Sequence, residues 1–252
     1  MKKLVQMIAA CMMLVALTGC QTQTKEEPLT IYMVRHGKTF FNTTGQVQGF
    51  ADSPLTENGK EKALQLGEGM KDITFDLAYS SDLGRQRNTL KLILSKNEHD
   101  IPEMKEHDGF KEWNYGGFEG KTDIEMWTPI FESNGLQLDE NWTDYPKLVE
   151  KLGDKGIADA IAKLDELGAA ESYDQIVARG TQAMDMVIQD AKETNSKTAI
   201  IVSSGSMIPT ILEIVTPGQY HGESIDNCSV TVLKYQDGKY TLETIGSDEY
   251  LK

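Results

Sequence analysis

Cysteine is scarce in this chain of 252 residues: there are three, Cys11, Cys20 and Cys228. Cys11 and Cys20 lie near the N-terminus, so Cys228 alone remains for the body of the chain, and an internal disulfide there is excluded. Beside a predicted strand, Cys228 reads as a small buried side chain. Histidine is nearly as rare. The four histidines are scattered, and no Cys/His pair has ligand spacing, so no metal site is expected. Positive charge is the minority sign, with 25 Lys and Arg against 39 Asp and Glu for a net charge of −14. No basic cluster interrupts the acidity, which argues against a nucleic-acid partner, because a phosphate backbone needs a positive footprint. A small phosphorylated substrate remains compatible, since a local cationic pocket can sit within an acidic surface. No internal repeat is present.

Long apolar runs are also lacking, apart from Leu4–Leu17, which is too short for a comfortable membrane span. It follows the basic start Met1-Lys2-Lys3 and ends in Leu17-Thr18-Gly19-Cys20. This order resembles the lipobox of bacterial lipoproteins, in which the cysteine is lipidated and becomes the first mature residue. The resemblance implies a signal peptide over residues 1–19, lipidation at Cys20, a polar tether over 20–28, and a domain over 29–252. It also implies a lipid-anchored protein on the extracytoplasmic face of the cell membrane, with the membrane as partner through the anchor.

The domain itself alternates strands and helices. Leu29–Val34 reads as a buried strand, followed by a polar loop over 42–54. Thr56 is the predicted N-cap of a helix with Ala63, Leu66 and Met70 inward. A strand over 75–81 leads to Asp82 as the predicted N-cap of a helix through Leu94, and Ile101–Lys105 reads as a short strand. Residues 121–170 read as an inserted, mainly helical cap rich in aromatics (Trp127, Phe131, Trp142, Tyr145), with Ile157, Ile161, Leu164 and Leu167 on one helical side. A helix over 174–193, the apolar strand Thr198–Val202, a helix through Val215 and a hairpin turning at Asp237-Gly238 complete the chain. The expected fold class is α/β: three layers, α/β/α, with a mostly parallel sheet, a helical cap insertion and an antiparallel C-terminal hairpin.

Four segments are equipped for phosphate. Arg35-His36-Gly37-Lys38-Thr39 follows the first strand. Arg35 offers a permanent forked cation, His36 a nitrogen that can be neutral and nucleophilic near pH 7, and Gly37 a sharp turn with room for a ligand. Tyr79–Arg85 and Ser203-Ser204-Gly205 each take a strand end into a helix, where anions bind. Glu112–Gly120 is a glycine-rich loop carrying carboxylates.

Together these segments resemble the histidine phosphatase superfamily, in the branch containing cofactor-dependent phosphoglycerate mutase and its phosphatase relatives. The matching blocks are Arg35-His36-Gly37-Lys38-Thr39-X-X-Asn42, Gln48-Gly49-X-X-Asp52-Ser53-Pro54-Leu55-Thr56-X-X-Gly59, Ser80-Ser81-Asp82-Leu83-X-Arg85, and Glu112-X-X-Tyr115-Gly116-Gly117-Phe118-Glu119-Gly120. Glu171-Ser172 with Arg179 resembles a further element. The resemblance implies that His36 attacks phosphorus and becomes phosphohistidine, that Arg35 and Arg85 clamp the phosphoryl oxygens, and that Glu112 is general acid and then base. It implies substrate binding by Asn42, Thr39, Gly37 and Ser204, and no cofactor or metal.

There is one departure. Where the family has a second histidine, this chain has Ser204, which donates one hydrogen bond and carries no charge. Losing a preorganised donor typically costs about a hundred- to a thousandfold in rate. His221, in the loop before the hairpin, is a candidate to compensate from the pocket rim. His99 and His107 read as exposed loop residues. The favoured expectation is a phosphatase hydrolysing a phosphomonoester, either a small molecule or a phosphoprotein, through phospho-His36. The rivals are a non-catalytic phospho-ligand-binding lipoprotein and a phosphoglycerate mutase-type phosphotransferase.

Overall fold

The computed structural model describes residues 27–251. The leader, Cys20 and most of the tether therefore lie outside the described residues. One six-stranded sheet runs through the protein in the order β3-β2-β4-β1-β5-β6. β1 (Leu29–Arg35), β2 (Leu77–Ser80), β3 (Met104–Glu106) and β4 (Thr198–Ser203) are mutually parallel. β5 (Val230–Gln236) runs antiparallel to β1, and β6 (Lys239–Ser247) forms the antiparallel edge. The hairpin between them turns on Asp237 and Gly238, both at positive φ (53° and 80°), the twist that suits a two-residue loop.

Side-chain alternation along the central strands assigns the faces of the sheet. Ala199 and Ile201 of β4 pack with α6 (Tyr173–Thr194) and α7 (Met207–Val215), while Ile200 and Val202 pack with α2 (Glu57–Gly69) and α3 (Gly84–Leu94). The result is a three-layer α/β/α arrangement. The cap helices α4 (Asp123–Ser133) and α5 (Tyr145–Leu164) extend the first of these layers, with Met126, Ile130, Ile157 and Ile161 in the same apolar cluster. Each fully buried Ile or Val in these clusters contributes about 1.5–3 kcal/mol.

Several local expectations are revised. Residues 42–54 are not all loop: α1 (Phe40–Thr44) forms a single turn, closed by a reciprocal capping box between Thr39 and Asn42. Asp82 does not cap α3, because its carboxylate pairs with Lys111 at 3.0 Å. The N-terminus of α3 is served from a distance, by Asp52 accepting from Gly84 N–H at 2.7 Å and Arg85 N–H at 3.3 Å. Leu164 and Leu167 are 39% and 76% exposed, since α5 ends at Leu164 and only Ile157, Ala158 and Ile161 of its second half are buried. That second half follows a break at Gly153, whose φ is 60°. Thr56 does cap α2, accepting from Gly59 N–H at 3.0 Å.

Candidate active site

The site forms where the parallel strands end. Arg35 and Ser203 are register partners at the C-terminal ends of β1 and β4, and the next residue, His36, donates its backbone N–H to the Ser203 carbonyl at 3.0 Å. Two strand ends thus deliver Arg35-His36 and Ser203-Ser204 to one point. β2 and the start of α3 bring Arg85 to the same point, within electrostatic reach of His36.

His36 is 3% exposed, and its Nδ1 lies 2.8 Å from the Gly37 carbonyl. A carbonyl only accepts, so Nδ1 carries the proton and the lone pair falls on Nε2. Burial, and then the Arg85 and Arg35 guanidiniums, hold the imidazole well below its ordinary 6.5. It is neutral near pH 7 without help from a second histidine. Its main chain is fixed by Asn227, whose Nδ2 donates to the His36 carbonyl at 2.8 Å. Gly37 has a different reason to be glycine than the one read from the motif. Its φ is not positive; a Cβ there would meet the Gly59 carbonyl oxygen at 2.7 Å, so the requirement is close approach to α2.

Arg85 is 1% exposed, and its guanidinium is held by a loop. Nη1 donates to the Ala51 carbonyl at 2.9 Å and to Asp52 Oδ1 at 3.1 Å, and Nη2 to the Gly49 carbonyl at 2.6 Å. That loop is stapled by the Glu119 carboxylate, which accepts from the N–H groups of Gly49, Phe50 and Ala51 at 2.7–3.0 Å. Arg35 donates Nη1 to the Ile225 carbonyl at 2.7 Å and lies against Gly205, where a Cβ would stand 3.2 Å from its Cζ. The Nε atoms of Arg35 and Arg85 are buried without a partner. Unpaired buried charged donors are costly, and an anion offering oxygens between them removes the cost.

Glu112 is 7% exposed. Its carboxyl oxygens accept from Trp113 N–H and Ser206 N–H, each at 2.9 Å. Burial pushes its pKa above 4.5, against the pull of those N–H groups and of Arg85 and Arg35. A buried carboxyl whose hold on its proton is strengthened by burial, beside two cations, is suited to donate that proton. The segment that carries it is clamped by Arg179, which bonds Glu171 at 2.8 and 2.9 Å and also donates to the carbonyls of Asp108, Lys111 and Glu112.

A family model of the histidine phosphatase superfamily (branch 1) matches residues 31–248. The chain belongs to that superfamily. Among its relatives, a metal-independent phosphoserine phosphatase from Arabidopsis thaliana is 28% identical over 221 residues, covering 87% of this chain and 82% of the relative. A broad-specificity phosphatase from Saccharomyces cerevisiae is 27% identical, with 88% and 87% covered. A solved phosphoglycerate mutase from Bacillus anthracis str. Sterne is 33% identical, covers 91% of this chain and 97% of its own, and superposes with a TM-score of 0.82.

The histidine phosphatase resemblance marked Ser204 as the departure, and the structure shows what fills the space. Ser204 is fully buried, and its Oγ accepts from Gln86 Nε2 at 2.6 Å. The Gln86 amide also donates to the Phe110 carbonyl at 2.9 Å and accepts from Ser81 Oγ. Gln86, fully buried on α3, thus ties Ser81, Phe110 and Ser204 together. Nothing in the sequence pattern singled it out. Asp52 and Glu119 lay inside the quoted blocks but had no role until the fold brought them to Arg85.

The remaining motif residues serve the loop. Thr39 is buried, with its hydroxyl accepting from Asn42 N–H at 3.1 Å and donating to Gln48 Oε1 at 2.9 Å. Asn42 Oδ1 accepts from Thr39 N–H at 3.1 Å, which leaves only its Nδ2 for a phosphoryl oxygen. His221 is exposed and lines, with Trp113 and Ser206, a cavity of about 440 Å³ whose lining does not include His36, Arg35, Arg85 or Glu112. His99 is exposed, whereas His107 is half-buried and accepts from Gly109 N–H at 2.9 Å. Among the described residues, no group of three or more His, Cys, Asp and Glu side chains is placed to hold a metal ion.

Proposed function

We propose that this protein is a phosphatase that hydrolyses phosphomonoesters through a phosphohistidine at His36. The observation that carries this reading is a buried histidine whose Nδ1 is tied to the Gly37 carbonyl, beside two guanidiniums with unpartnered Nε donors and a buried carboxyl whose pKa is pushed upward. His36 Nε2 forms a bond to phosphorus as the ester P–O bond breaks, and the Glu112 proton passes to the departing oxygen. Water then attacks phosphorus, Glu112 takes its proton, and the P–N bond breaks to return the electron pair to Nε2. Arg35 and Arg85 meet the charge that builds on the phosphoryl oxygens.

Relatives named as phosphatases support hydrolysis, and the general acid distinguishes it from mere phosphate binding, which has no use for one. The mutase relative supports phosphoryl transfer equally well, but a mutase retains its substrate's alcohol part for a second transfer. The leader resembling a lipobox supports a hydrolytic enzyme outside the cytoplasm, tethered to the membrane through lipidated Cys20. The test is phenyl phosphate turnover by the domain from Gln21 onward, with intact mass read after a rapid alkaline quench. The expected result is turnover and a phosphoryl adduct, both abolished in His36→Ala. Turnover retained in His36→Ala would overturn the mechanism.

A further inference from the structure

The cavity beyond Glu112 has a chemistry of its own. Trp113, Tyr115, Trp127, Tyr145 and Tyr220 wall it with aromatic surface, and the lining includes Trp113 and Ser206, the two residues whose N–H groups hold Glu112. The walls are braced. Trp113 Nε1 donates to Thr210 Oγ1 at 3.0 Å, and Trp127 stands edge-on to Tyr145 and Trp142 with centroids 5.7 and 5.6 Å apart. The charged groups lining it are the carboxylates of Glu150 and Asp154, and no lysine or arginine joins them. Asp154 is half-buried and forms no ion pair among the described residues. Burial and the nearby Glu213 carboxylate raise its pKa, the response of an acid lacking a cationic partner. Arg35 and Arg85 do not line this cavity; Arg35 Nη1 and both Nη atoms of Arg85 are engaged by backbone carbonyls.

We propose that the site selects phosphomonoesters whose alcohol part is an aromatic ring bearing an ammonium group, and disfavours those bearing a carboxylate or a second phosphate. The proposal rests on the phosphatase reading. A flat ring suits the fixed aromatic walls. An ammonium gains a charge-assisted hydrogen bond to Asp154 and the faces of the surrounding rings. An anion in the same place meets Asp154 and Glu150 with no lysine or arginine to offset them and His221 as the one basic side chain of the lining, and that repulsion supplies the discrimination.

The experiment compares three matched substrates: phenyl phosphate and its para-aminomethyl and para-carboxylate derivatives. The ammonium ester is expected to exceed the carboxylate ester in kcat/KM by at least about tenfold, a ratio that falls toward one in Asp154→Asn. Equal kcat/KM for the charged pair in the wild type, or a ratio that Asp154→Asn leaves unchanged, overturns the proposal while the phosphatase reading stands. Turnover of none of the three overturns the phosphatase reading. The matched benzylphosphonates then decide the pocket by binding alone: tighter binding of the ammonium form supports the inference, and equal affinity overturns it.

Discussion

The serine at position 204 does not act as an isolated loss. Its hydroxyl is paired with the Gln86 amide in a place closed to solvent, so serine and glutamine together occupy one site. A histidine introduced alone would have to displace that amide, and overpacking of this kind costs about 1–3 kcal/mol. Ser204→His by itself is therefore expected to lose stability in urea unfolding and to gain no turnover. The double variant Gln86→Ala, Ser204→His should recover the stability and turn over phenyl phosphate faster than the wild type. Equal gains in the single and double variants would show that Gln86 does not guard the position.

The two buried ionisable groups that share the Arg35 and Arg85 guanidiniums as neighbours are shifted in opposite directions. His36 is held well below 6.5 and Glu112 above 4.5. The acid limb of kcat/KM, where His36 takes up a proton, should fall below pH 6.5, and the alkaline limb, where Glu112 loses its proton, above pH 4.5. An acid limb above 6.5 would contradict a neutral His36. The same shift enters stability. Because the folded value of His36 is depressed, the unfolded chain takes up that proton first. The stability tied to neutral His36 is complete above 6.5 and is lost as pH falls toward the folded value. His36→Asn should flatten that part of the urea-unfolding profile.

Among the helices and loops, the active arrangement depends on braces between segments far apart in the chain. Asp52 caps α3 and grips Arg85 with the same carboxylate. Asp52→Ala removes both, and loss of the cap alone costs about 0.5–2 kcal/mol. Turnover should fall by more than that stability loss explains, with KM rising because Arg85 no longer holds its bearing, and Asp52→Asn should restore the cap but not the ion pair. Steady-state kinetics beside urea unfolding separates the two. The Arg179 clamp on the Glu112 segment works in the same way, from the far face of the site.

Taken whole, the molecule is one six-stranded sheet with Arg35-His36 and Ser203-Ser204 at the C-terminal ends of parallel strands, and among the described residues no helix is long and apolar enough to cross a membrane. The membrane anchor proposed from the leader rests on Cys20. In a bacterial host, Cys20→Ser should move the protein from the membrane fraction to the soluble one and abolish labelling by a fatty-acid probe. Unchanged fractionation would overturn the anchor.

Short-range pattern alone was enough to outline the sheet and helices. Ala199-Ile200-Ile201-Val202 announces a strand buried on both faces, and Thr56 with the apolar residues after it announces a capped helix, because those signals lie within a few positions of one another. His36, Arg35, Arg85 and Glu112 were nameable because each sits in a compact motif that resembles a block of the histidine phosphatase superfamily. What acts across the chain was not legible. Asp52 reaching α3, Glu119 stapling the loop under Arg85, Gln86 pairing with Ser204, and Asp154 standing uncompensated among aromatic rings all join residues tens of positions apart. Such pairings exist only once the parallel strands set their ends side by side, so the composition of the pocket and the sign of its charge were decided by the tertiary structure.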